Sequence, residues 1–554
     1  MAVGVVAYPI AHTGTLADDG HGTAETTMIY RSPYPDVDIP NITLQDYLFE
    51  HAEKYPDKAA LIDGPSGRTL TYGQLVGAVR RTAAGLAARG FGKGDVFALY
   101  SPNVPEYAIA FFGVATAGGV NTTVNPLYTV DELKRQLVGA GAKFLVTVPQ
   151  FLANAQDAAA GTSVEEVFVF GEAKGATPFT ALSESDGEPP DVDIDPQADL
   201  VALPYSSGTT GLPKGVMLTH HNLVANLCQT HSVEQLSDQE VLIGILPFYH
   251  IYGMVVIMSG ALRAGGTIVT MPRFDLEQFL ELLQKYGVTM AYLVPPIVLA
   301  LAKHPLVDNY DLSKMRNILS GAAPLPEPVA QACVKRLGLM LRQGYGLTET
   351  SPVTHANGKD REIKNTSVGV ALPNTEYRII DLSTETDAET GQVGEVWIRG
   401  PQVMKGYLND PEATSDMIDD DGWLHSGDIG YADTDSYLFV VDRVKELIKY
   451  KGMQVAPAEL EGIIQAHPAV ADVAVIPVPD LEAGEIPKAF VVLTPDAHAT
   501  PEEIMAHVAE RVAPHKKVRR VEFIDAIPKV PSGKILRREL RDRERAAREG
   551  GTAR

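Results

Sequence analysis

Residues 206–215 read SSGTTGLPKG and follow the apolar residues 200–203. Three glycines allow the backbone to curl and expose its N–H groups, four hydroxyls add donors, and Lys214 adds a cation. These are the groups that a polyphosphate cradle needs. The string is not a Walker A loop, because Lys214 is followed by Gly215 where that motif has Ser or Thr. It predicts a phosphate-binding loop, although its composition alone also fits a flexible surface turn.

The segments on both sides of this loop alternate between strand-like and helix-like patterns. Residues 97–100 read as a strand, for example, and residues 106–117 as the helix that follows it. The alternation runs from residue 48 to about 170 and again from 203 to 341, which favours a layered α/β sheet. Residues 172–199 are rich in Gly, Pro, Asp and Ser and predict a surface connection between the two blocks.

The pattern changes in the last third of the chain. Residues 393–399 and 437–441 read as strands between Gly and Asp turns, which predicts a β-rich subdomain at about 360–442. Beyond it the pattern is α+β, with a capping box at Thr500 and Glu503. We expect an α/β fold with a large N-terminal domain of layered α/β sheets, including the β-rich subdomain, over residues 1–442. A small α+β C-terminal domain should cover residues 443–554.

Composition and charge narrow the class of protein. The chain has 554 residues, of which 45% are hydrophobic and 21% charged, as in soluble globular proteins. Its formal net charge of −23 argues against nucleic acid as a partner. Two cysteines far apart predict neither a disulfide framework nor a cysteine metal site. No basic leader or apolar run of about 18 to 20 residues is evident, so we expect no membrane span and a cytoplasmic protein, either monomer or homodimer.

Five further strings follow the phosphate loop along the chain: GYGLTE at 344–349, GEVWIRG at 394–400, GWLHSG at 422–427, DRVKELIKYKG at 442–452 and PSGK at 531–534. In this order, the six strings resemble those of the adenylate-forming superfamily of acyl-CoA synthetases, peptide-synthetase adenylation domains and luciferases. Three other segments are most similar to 4-coumarate–CoA ligases: IYRSPYPDVDIP at 29–40, PFYHIYG at 247–253 and ELIKYKGMQVAPAELE at 446–461. The resemblance covers the chain from about residue 30 to 541.

The resemblance implies an acid–thiol ligase with two half-reactions. A carboxylate is a poor acyl donor, so the enzyme first makes it attack the α-phosphate of ATP, which gives an acyl-adenylate and pyrophosphate. The acyl group then passes to coenzyme A and AMP leaves. Because two anions meet in the first step, cations and N–H donors must neutralise the developing charge. ATP, Mg²⁺, coenzyme A and a small carboxylic acid are the implied cofactors and substrates.

The resemblance also assigns the nucleotide site residue by residue. The β- and γ-phosphates would be held by Ser206, Ser207, Gly208, Thr209, Thr210 and Lys214. Thr348 would contact the α-phosphate and Glu349 would hold Mg²⁺. Asp428 would accept hydrogen bonds from the ribose, with Arg443 donating to the sugar or the phosphate and Lys445 close to AMP. The adenine and acyl side would be lined by Gln343, Gly344 and Tyr345.

In this superfamily the small domain rotates between the half-reactions, so residues 442 and 443 are the expected hinge of a mobile C-terminal domain. One orientation would present Lys534 to the α-phosphate and the carboxylate. The other would present Lys449 and Gln454. Coenzyme A would be contacted by Lys451, Gly452 and, on weaker grounds, Arg273. His250 would lie beside the reacting carboxylate as a gate or a hydrogen-bonding group.

The acyl pocket is assigned to seven residues that are mostly small or apolar: Tyr252, Val256, Leu319, Ala322, Gly346, Pro352 and Val353. Plant coumarate ligases often have polar side chains at the positions of Val256 and Leu319. The aliphatic side chains here make strict selection of 4-coumarate doubtful, because an apolar wall discriminates weakly. Cinnamate or a medium-chain fatty acid therefore stays open, as does loading of a carrier protein, so phenylpropanoid and fatty acid metabolism are both candidate settings. His355 replaces a small apolar residue of the plant group without a physical reason evident from the sequence.

Overall fold

The structure is a computed structural model that describes residues 27–185, 187–206, 213–451, 453–480, 482–530 and 533–551. Two nine-stranded sheets form its larger part. In hydrogen-bonding order, eight strands of the first sheet are Tyr205–Ser206, Lys214–Thr219, Leu200–Ala202, Val120–Thr123, Val96–Tyr100, Ala142–Thr147, Glu166–Val169 and Thr177–Pro178. Its ninth strand, Gly406–Tyr407, lies outside this order and pairs with Lys214–Thr219. The second contains Val370–Ala371, Val353–Ala356, Met340–Gly346, Asn317–Ser320, Met290–Leu293, Val241–Gly244, Thr267–Thr270, Ala59–Asp63 and Thr69–Thr71.

Most strands of these two sheets are parallel and buried on both faces, as expected where helices cover a sheet. The α-helices of this part are Leu44–Phe49, Tyr72–Ala88, Pro105–Thr116, Val130–Ala140, Leu152–Ala159, Thr180–Ser183, His220–Glu234, Gly260–Ala264, Leu276–Tyr286, Pro295–Lys303 and Glu327–Leu337. One core spans both sheets. The predicted α/β alternation is therefore confirmed, and the strand and helix expected at 97–100 and 106–117 occur as Val96–Tyr100 and Pro105–Thr116. The predicted surface connection itself contains the short strand Thr177–Pro178 and the short helix Thr180–Ser183.

A five-stranded antiparallel sheet follows, in the order Tyr30–Arg31, Glu376–Ile380, Gly394–Arg399, Leu424–Ala432 and Leu438–Arg443. Its strand Gly394–Arg399 alternates buried and half-buried residues, which is typical of a sheet with one covered face. The helix Pro411–Met417 lies between two of its strands in the chain. This sheet corresponds to the β-rich segment predicted from the sequence.

The C-terminal segment has a sheet of its own, made of Met453–Val455, Ile448–Tyr450, Gly484–Leu493, Val470–Asp480 and Arg520–Phe523. The helices Pro457–Gln465, Pro501–Ala509 and Arg537–Gly551 accompany it, and the predicted capping box at Thr500 and Glu503 forms with both hydrogen bonds. Two clusters of buried residues within 448–540 form separate cores. A segment with its own core can fold as a unit, which supports a domain division near residues 442 and 443; that boundary stays a prediction.

The buried carboxylate of Asp442 connects the two parts. It accepts hydrogen bonds from the backbone N–H of Arg443 (2.7 Å) and of Ala458 (2.8 Å). Ala458 lies in the first turn of helix Pro457–Gln465, so Asp442 supplies the negative charge that a helix N-terminus favours. Burial raises the pKa of Asp442 to about 6. None of the helices described here is long and apolar enough to cross a membrane.

Candidate active site

A cavity of about 940 Å³ lies between the large part of the molecule and the C-terminal segment. Residues at or just beyond the carboxyl ends of parallel strands line it, among them Thr123, His250, Gly321 and Gly344. This edge is where open α/β sheets bind ligands. The opposite wall comes from the C-terminal segment and the strand leading to it, and includes Arg443, Lys445, Glu446, Lys534, Arg537 and Arg541. The cavity thus joins residues more than 300 positions apart in the sequence.

The strands on the two sides of the predicted phosphate loop pair with each other, and we call this strand pair the phosphate hairpin. Ser206 pairs directly with Lys214 across its two antiparallel strands. Of the loop residues predicted to hold phosphates, Ser207, Gly208, Thr209 and Thr210 lie outside the described residues. The Lys214 Nζ lies 3.4 Å from an Asp410 carboxylate oxygen and 5.3 Å from the centre of the Tyr407 ring.

Glu349 is buried at the base of this hairpin. Its Oε1 accepts hydrogen bonds from the Ser206 hydroxyl (2.7 Å) and the Tyr407 hydroxyl (2.9 Å). Burial, followed by the negative charge of Glu349, raises the pKa of Tyr407, so its hydroxyl stays protonated and donates. Thr348 and Glu349 both line the cavity and belong to the short 3₁₀ turn Thr348–Thr350. The phosphate hairpin and the predicted metal ligand are therefore neighbours.

Three residues from separate motifs meet beside the cavity. Asp428 is buried, and its Oδ2 accepts a hydrogen bond from the Tyr345 hydroxyl at 2.6 Å. Its Oδ1 pairs with the Arg443 guanidinium at 3.0 Å. Arg443 and Tyr345 line the cavity. The structure therefore brings together the residues predicted to hold the ribose and the base.

Lys534 borders the cavity from the C-terminal segment. Loss of hydration, followed by the positive charges of Arg443 and Lys445, lowers the pKa of its ammonium group to about 8. His250 lines the same cavity, and its Nδ1 accepts a hydrogen bond from the backbone N–H of Tyr252 at 3.3 Å. Loss of hydration, followed by the positive charge of Lys534, lowers the pKa of His250 to about 4, so its imidazole is neutral at pH 7. A cation and a neutral hydrogen-bonding group thus share one side of the cavity.

The residues predicted for the second half-reaction do not reach the cavity in this orientation. Lys449 and Lys451 are exposed on the C-terminal segment, and neither is among the residues that line the cavity. Arg273 is also exposed and outside it. Gly452 and the side chain of Gln454 lie outside the described residues. The structure therefore presents the Lys534 face of the C-terminal segment and not the Lys449 face.

All seven residues predicted for the acyl pocket line the cavity: Tyr252, Val256, Leu319, Ala322, Gly346, Pro352 and Val353. Tyr252 and Val256 lie on the π-helix Tyr252–Ser259, a type of helix frequent at functional sites. A Cβ atom at Gly346 would lie 1.9 Å from the Pro352 carbonyl oxygen, so only glycine fits there. Gln343, predicted for the adenine and acyl side, is not among the residues that line the cavity. Its side chain instead bonds two backbone groups, donating to the Asn365 carbonyl and accepting from the Leu325 N–H.

Sequence reasoning missed a polar group on the cavity wall and the role of His355. Glu234 and Tyr292 line the cavity, and Glu234 is paired with the fully buried Arg342. The charged Arg342 directly after the apolar residues 339–341 was the available signal. His355 is fully buried, with its ring edge-on to Tyr377 at 4.7 Å between centroids, and burial lowers its pKa to about 3. It is a neutral packing residue of strand Val353–Ala356.

Comparison of the sequence with known protein families gives matches for both the large part of the molecule and the C-terminal segment. Residues 48–408 match the AMP-binding enzyme family, and residues 459–534 match the AMP-binding enzyme C-terminal domain. The chain is 47% identical over 525 residues to a 4-coumarate–CoA ligase of Petroselinum crispum, covering 93% of this chain and 96% of the relative. It is 45% identical to a 4-coumarate–CoA ligase of Oryza sativa subsp. japonica, covering 94% of this chain and 98% of the relative.

A solved structure with the same fold is that of ATP-bound MatB from Rhodopseudomonas palustris, with a TM-score of 0.84 and 30% identity over 91% of this chain and 99% of that one. The expected fold is thereby confirmed, and the motifs that met around the cavity are those on which the resemblance to adenylate-forming enzymes was based. The chain belongs to the AMP-binding enzyme family.

Proposed function

We propose that the acid which this AMP-forming acyl-CoA synthetase activates is a hydroxycinnamic acid such as 4-coumarate. The observation that carries the proposal is the single cavity in which Glu349 and Lys534 at one end adjoin the pocket of Tyr252, Val256 and Leu319. Such a pocket suits a flat aromatic acid whose carboxylate faces the cations. The two plant relatives described above, both 4-coumarate–CoA ligases, support the same acid.

In the first half-reaction, the carboxylate oxygen attacks the α-phosphate of ATP and pyrophosphate leaves. Two anions approach each other, so the barrier falls where cations are already in place. Lys534 supplies one such charge, and Lys214 with the hairpin loop supplies another at the phosphate tail. Asp428 accepts from the ribose hydroxyls while Arg443 and Tyr345 hold its orientation. The neutral imidazole of His250 can lie against the acid without adding charge.

The residues present fit a Mg²⁺ ion beside the phosphates. Oε1 of Glu349 receives two hydrogen bonds, whereas among the described residues no group donates one to Oε2. One free carboxylate oxygen together with phosphate oxygens and water is the ligand set that Mg²⁺ favours. Glu349 would hold the ion, which would neutralise phosphate charge when bound. Ser206 and Tyr407 keep the carboxylate in place.

In the second half-reaction, the thiolate of coenzyme A attacks the acyl carbonyl of the adenylate, and AMP is the leaving group. We assign this step to a second orientation of the C-terminal domain, reached by rotation at residues 442 and 443. Lys449 and Gln454 would then enter the cleft, and Lys451, Gly452 and Arg273 would contact coenzyme A. Lys449 and Lys451 are exposed and do not line the cavity that Lys534 borders, which supports this division of labour.

The proposal is tested by incubating the purified full chain with one acid, ATP and Mg²⁺, with and without coenzyme A. We expect pyrophosphate release with 4-coumarate, and free thioester with AMP when coenzyme A is added. Parallel assays with cinnamate, benzoate and C6 to C12 fatty acids identify the acid class. Faster turnover of a fatty acid than of every cinnamic acid would overturn the proposal, and pyrophosphate release without free thioester would favour loading of a carrier protein.

A further inference from the structure

One row of side chains crosses the second large sheet beneath the acyl pocket. Tyr292, Leu319 and Arg342 are aligned partners in three neighbouring parallel strands. Aligned residues of parallel strands place their side chains on the same face of the sheet. Arg342 precedes the cavity-lining Gly344 by two residues, so this row lies about 6 to 7 Å along the strands from Gly344, away from their carboxyl ends. We take this row as the deep end of the pocket, opposite the end that Lys534 borders.

A buried carboxylate lies at this deep end. Glu234 is 5% exposed, lines the cavity, and accepts two hydrogen bonds from the Arg342 guanidinium, at 2.6 Å and 2.8 Å. Arg342 itself is fully buried and also donates to the Asn357 carbonyl at 2.7 Å. The carboxylate thus separates the guanidinium from the cavity. A carboxylate can accept about four hydrogen bonds, which leaves about two positions open on Glu234.

The buried position of the Glu234 carboxylate is not explained by a contribution to the stability of the fold. It is the last residue of helix His220–Glu234, where the helix dipole disfavours a negative charge. Buried ion pairs usually contribute little net stability compared with apolar residues of the same volume. Beside it, Tyr292 is 2% exposed and lines the same cavity, close enough to Glu234 to interact with its charge. The Glu234 carboxylate and the Tyr292 hydroxyl therefore both face the deep end of the pocket, which is otherwise apolar.

We propose that Glu234 and Tyr292 select acids that carry a hydroxyl at the end opposite the carboxylate, as in a 4-hydroxycinnamic acid. Glu234 accepts the hydrogen bond of the phenolic O–H, and the Tyr292 hydroxyl donates to the phenolic oxygen. Arg342 is a positioning residue that holds the Glu234 carboxylate in place through two hydrogen bonds. This inference rests on the proposed function and refines it. The aliphatic Val256 and Leu319 then line the pocket beside the acid, and the hydroxyl is recognised by Glu234 and Tyr292.

The test compares kcat/KM for 4-coumarate and cinnamate, which differ only by that hydroxyl. A hydrogen bond to a charged group predicts that the unaltered enzyme favours 4-coumarate by roughly 10- to 100-fold. Tyr292→Phe removes one hydroxyl and leaves the ion pair intact. The double variant Glu234→Met/Arg342→Met replaces the pair with apolar side chains of similar length, so it tests the carboxylate without leaving a buried charge unpaired. Tyr107→Phe is the matched control, because Tyr107 is also buried but does not line the cavity.

We expect Tyr292→Phe and the double variant to lose 4-coumarate turnover selectively, with the preference falling at least several-fold while cinnamate is still used. Tyr107→Phe should keep the original ratio. Equal use of both acids by the unaltered enzyme, or a parallel loss for both acids in the variants, would overturn the inference while leaving the ligase function intact. Absence of thioester from every acid tested would instead contradict the proposed function.

Discussion

Replacing Lys534 with alanine should separate the two half-reactions. In the orientation described here, the Lys534 ammonium borders the cavity next to His250, at the end where we propose that acid and α-phosphate meet. Arg443 cannot substitute for it, because its guanidinium is held by Asp428 at 3.0 Å. Loss of one preorganised donor of this kind typically lowers the rate by about 10²–10³, or about 2.7–4 kcal/mol. We therefore expect acyl-adenylate formation to fall by at least that factor in Lys534→Ala.

Two assays distinguish this effect from general damage. Acid-dependent exchange of labelled pyrophosphate into ATP measures adenylate formation alone. Conversion of supplied acyl-adenylate to thioester by added coenzyme A measures the second step alone, which should proceed at the normal rate in Lys534→Ala.

Lys529→Ala is a suitable control because it removes a lysine from the same loop. Lys529 is paired with the Asp472 carboxylate at 2.7 Å and does not line the cavity. The Lys529→Ala variant should retain both adenylate formation and thioester formation. Normal pyrophosphate exchange in Lys534→Ala, or equal loss of both steps, would refute the assignment of Lys534 to the first half-reaction.

Four further outcomes are expected. Because Lys534 acts as a cation and its pKa is lowered to about 8, kcat/KM for adenylate formation should decline as the pH rises through about 8, measured by pyrophosphate exchange from pH 6 to 10. Glu349→Gln should raise the Mg²⁺ concentration needed for half-maximal exchange at least tenfold, whereas an unchanged Mg²⁺ titration would remove Glu349 as the ligand. Lys449→Ala should keep normal exchange and slow thioester formation from supplied adenylate, the reverse of Lys534→Ala. Glu234→Ala leaves the guanidinium of Arg342 buried without its partner, so the free energy of unfolding should fall by about 3–5 kcal/mol, as measured by urea denaturation.

Motif residues could be predicted from the sequence because each motif is a contiguous string that carries its own chemistry. The phosphate hairpin is one example, since Ser206 and Lys214 are close in sequence and pair directly in the structure. Glu234 and Arg342 were not predicted, because they are 108 residues apart and neither belongs to a recognisable string. Their pairing depends on how helix His220–Glu234 packs against strand Met340–Gly346. The charged Arg342 stands out within its strand, but tertiary packing of that kind leaves no sequence pattern that links it to Glu234.

The sequence also could not predict the orientation of the C-terminal segment, because the chain has the same residues in both proposed orientations. The charges around Lys534 indicate which step of the reaction favours each of the two proposed orientations. In the Lys534 orientation, lost hydration and the charges of Arg443 and Lys445 disfavour the Lys534 ammonium, as its lowered pKa records. A bound triphosphate and carboxylate supply the missing negative charge and so stabilise this orientation. Departure of pyrophosphate removes most of that charge, and the repulsion among the three cations then favours withdrawal of Lys534. Release of the first product is therefore the step that we expect to trigger rotation at Asp442 and Arg443.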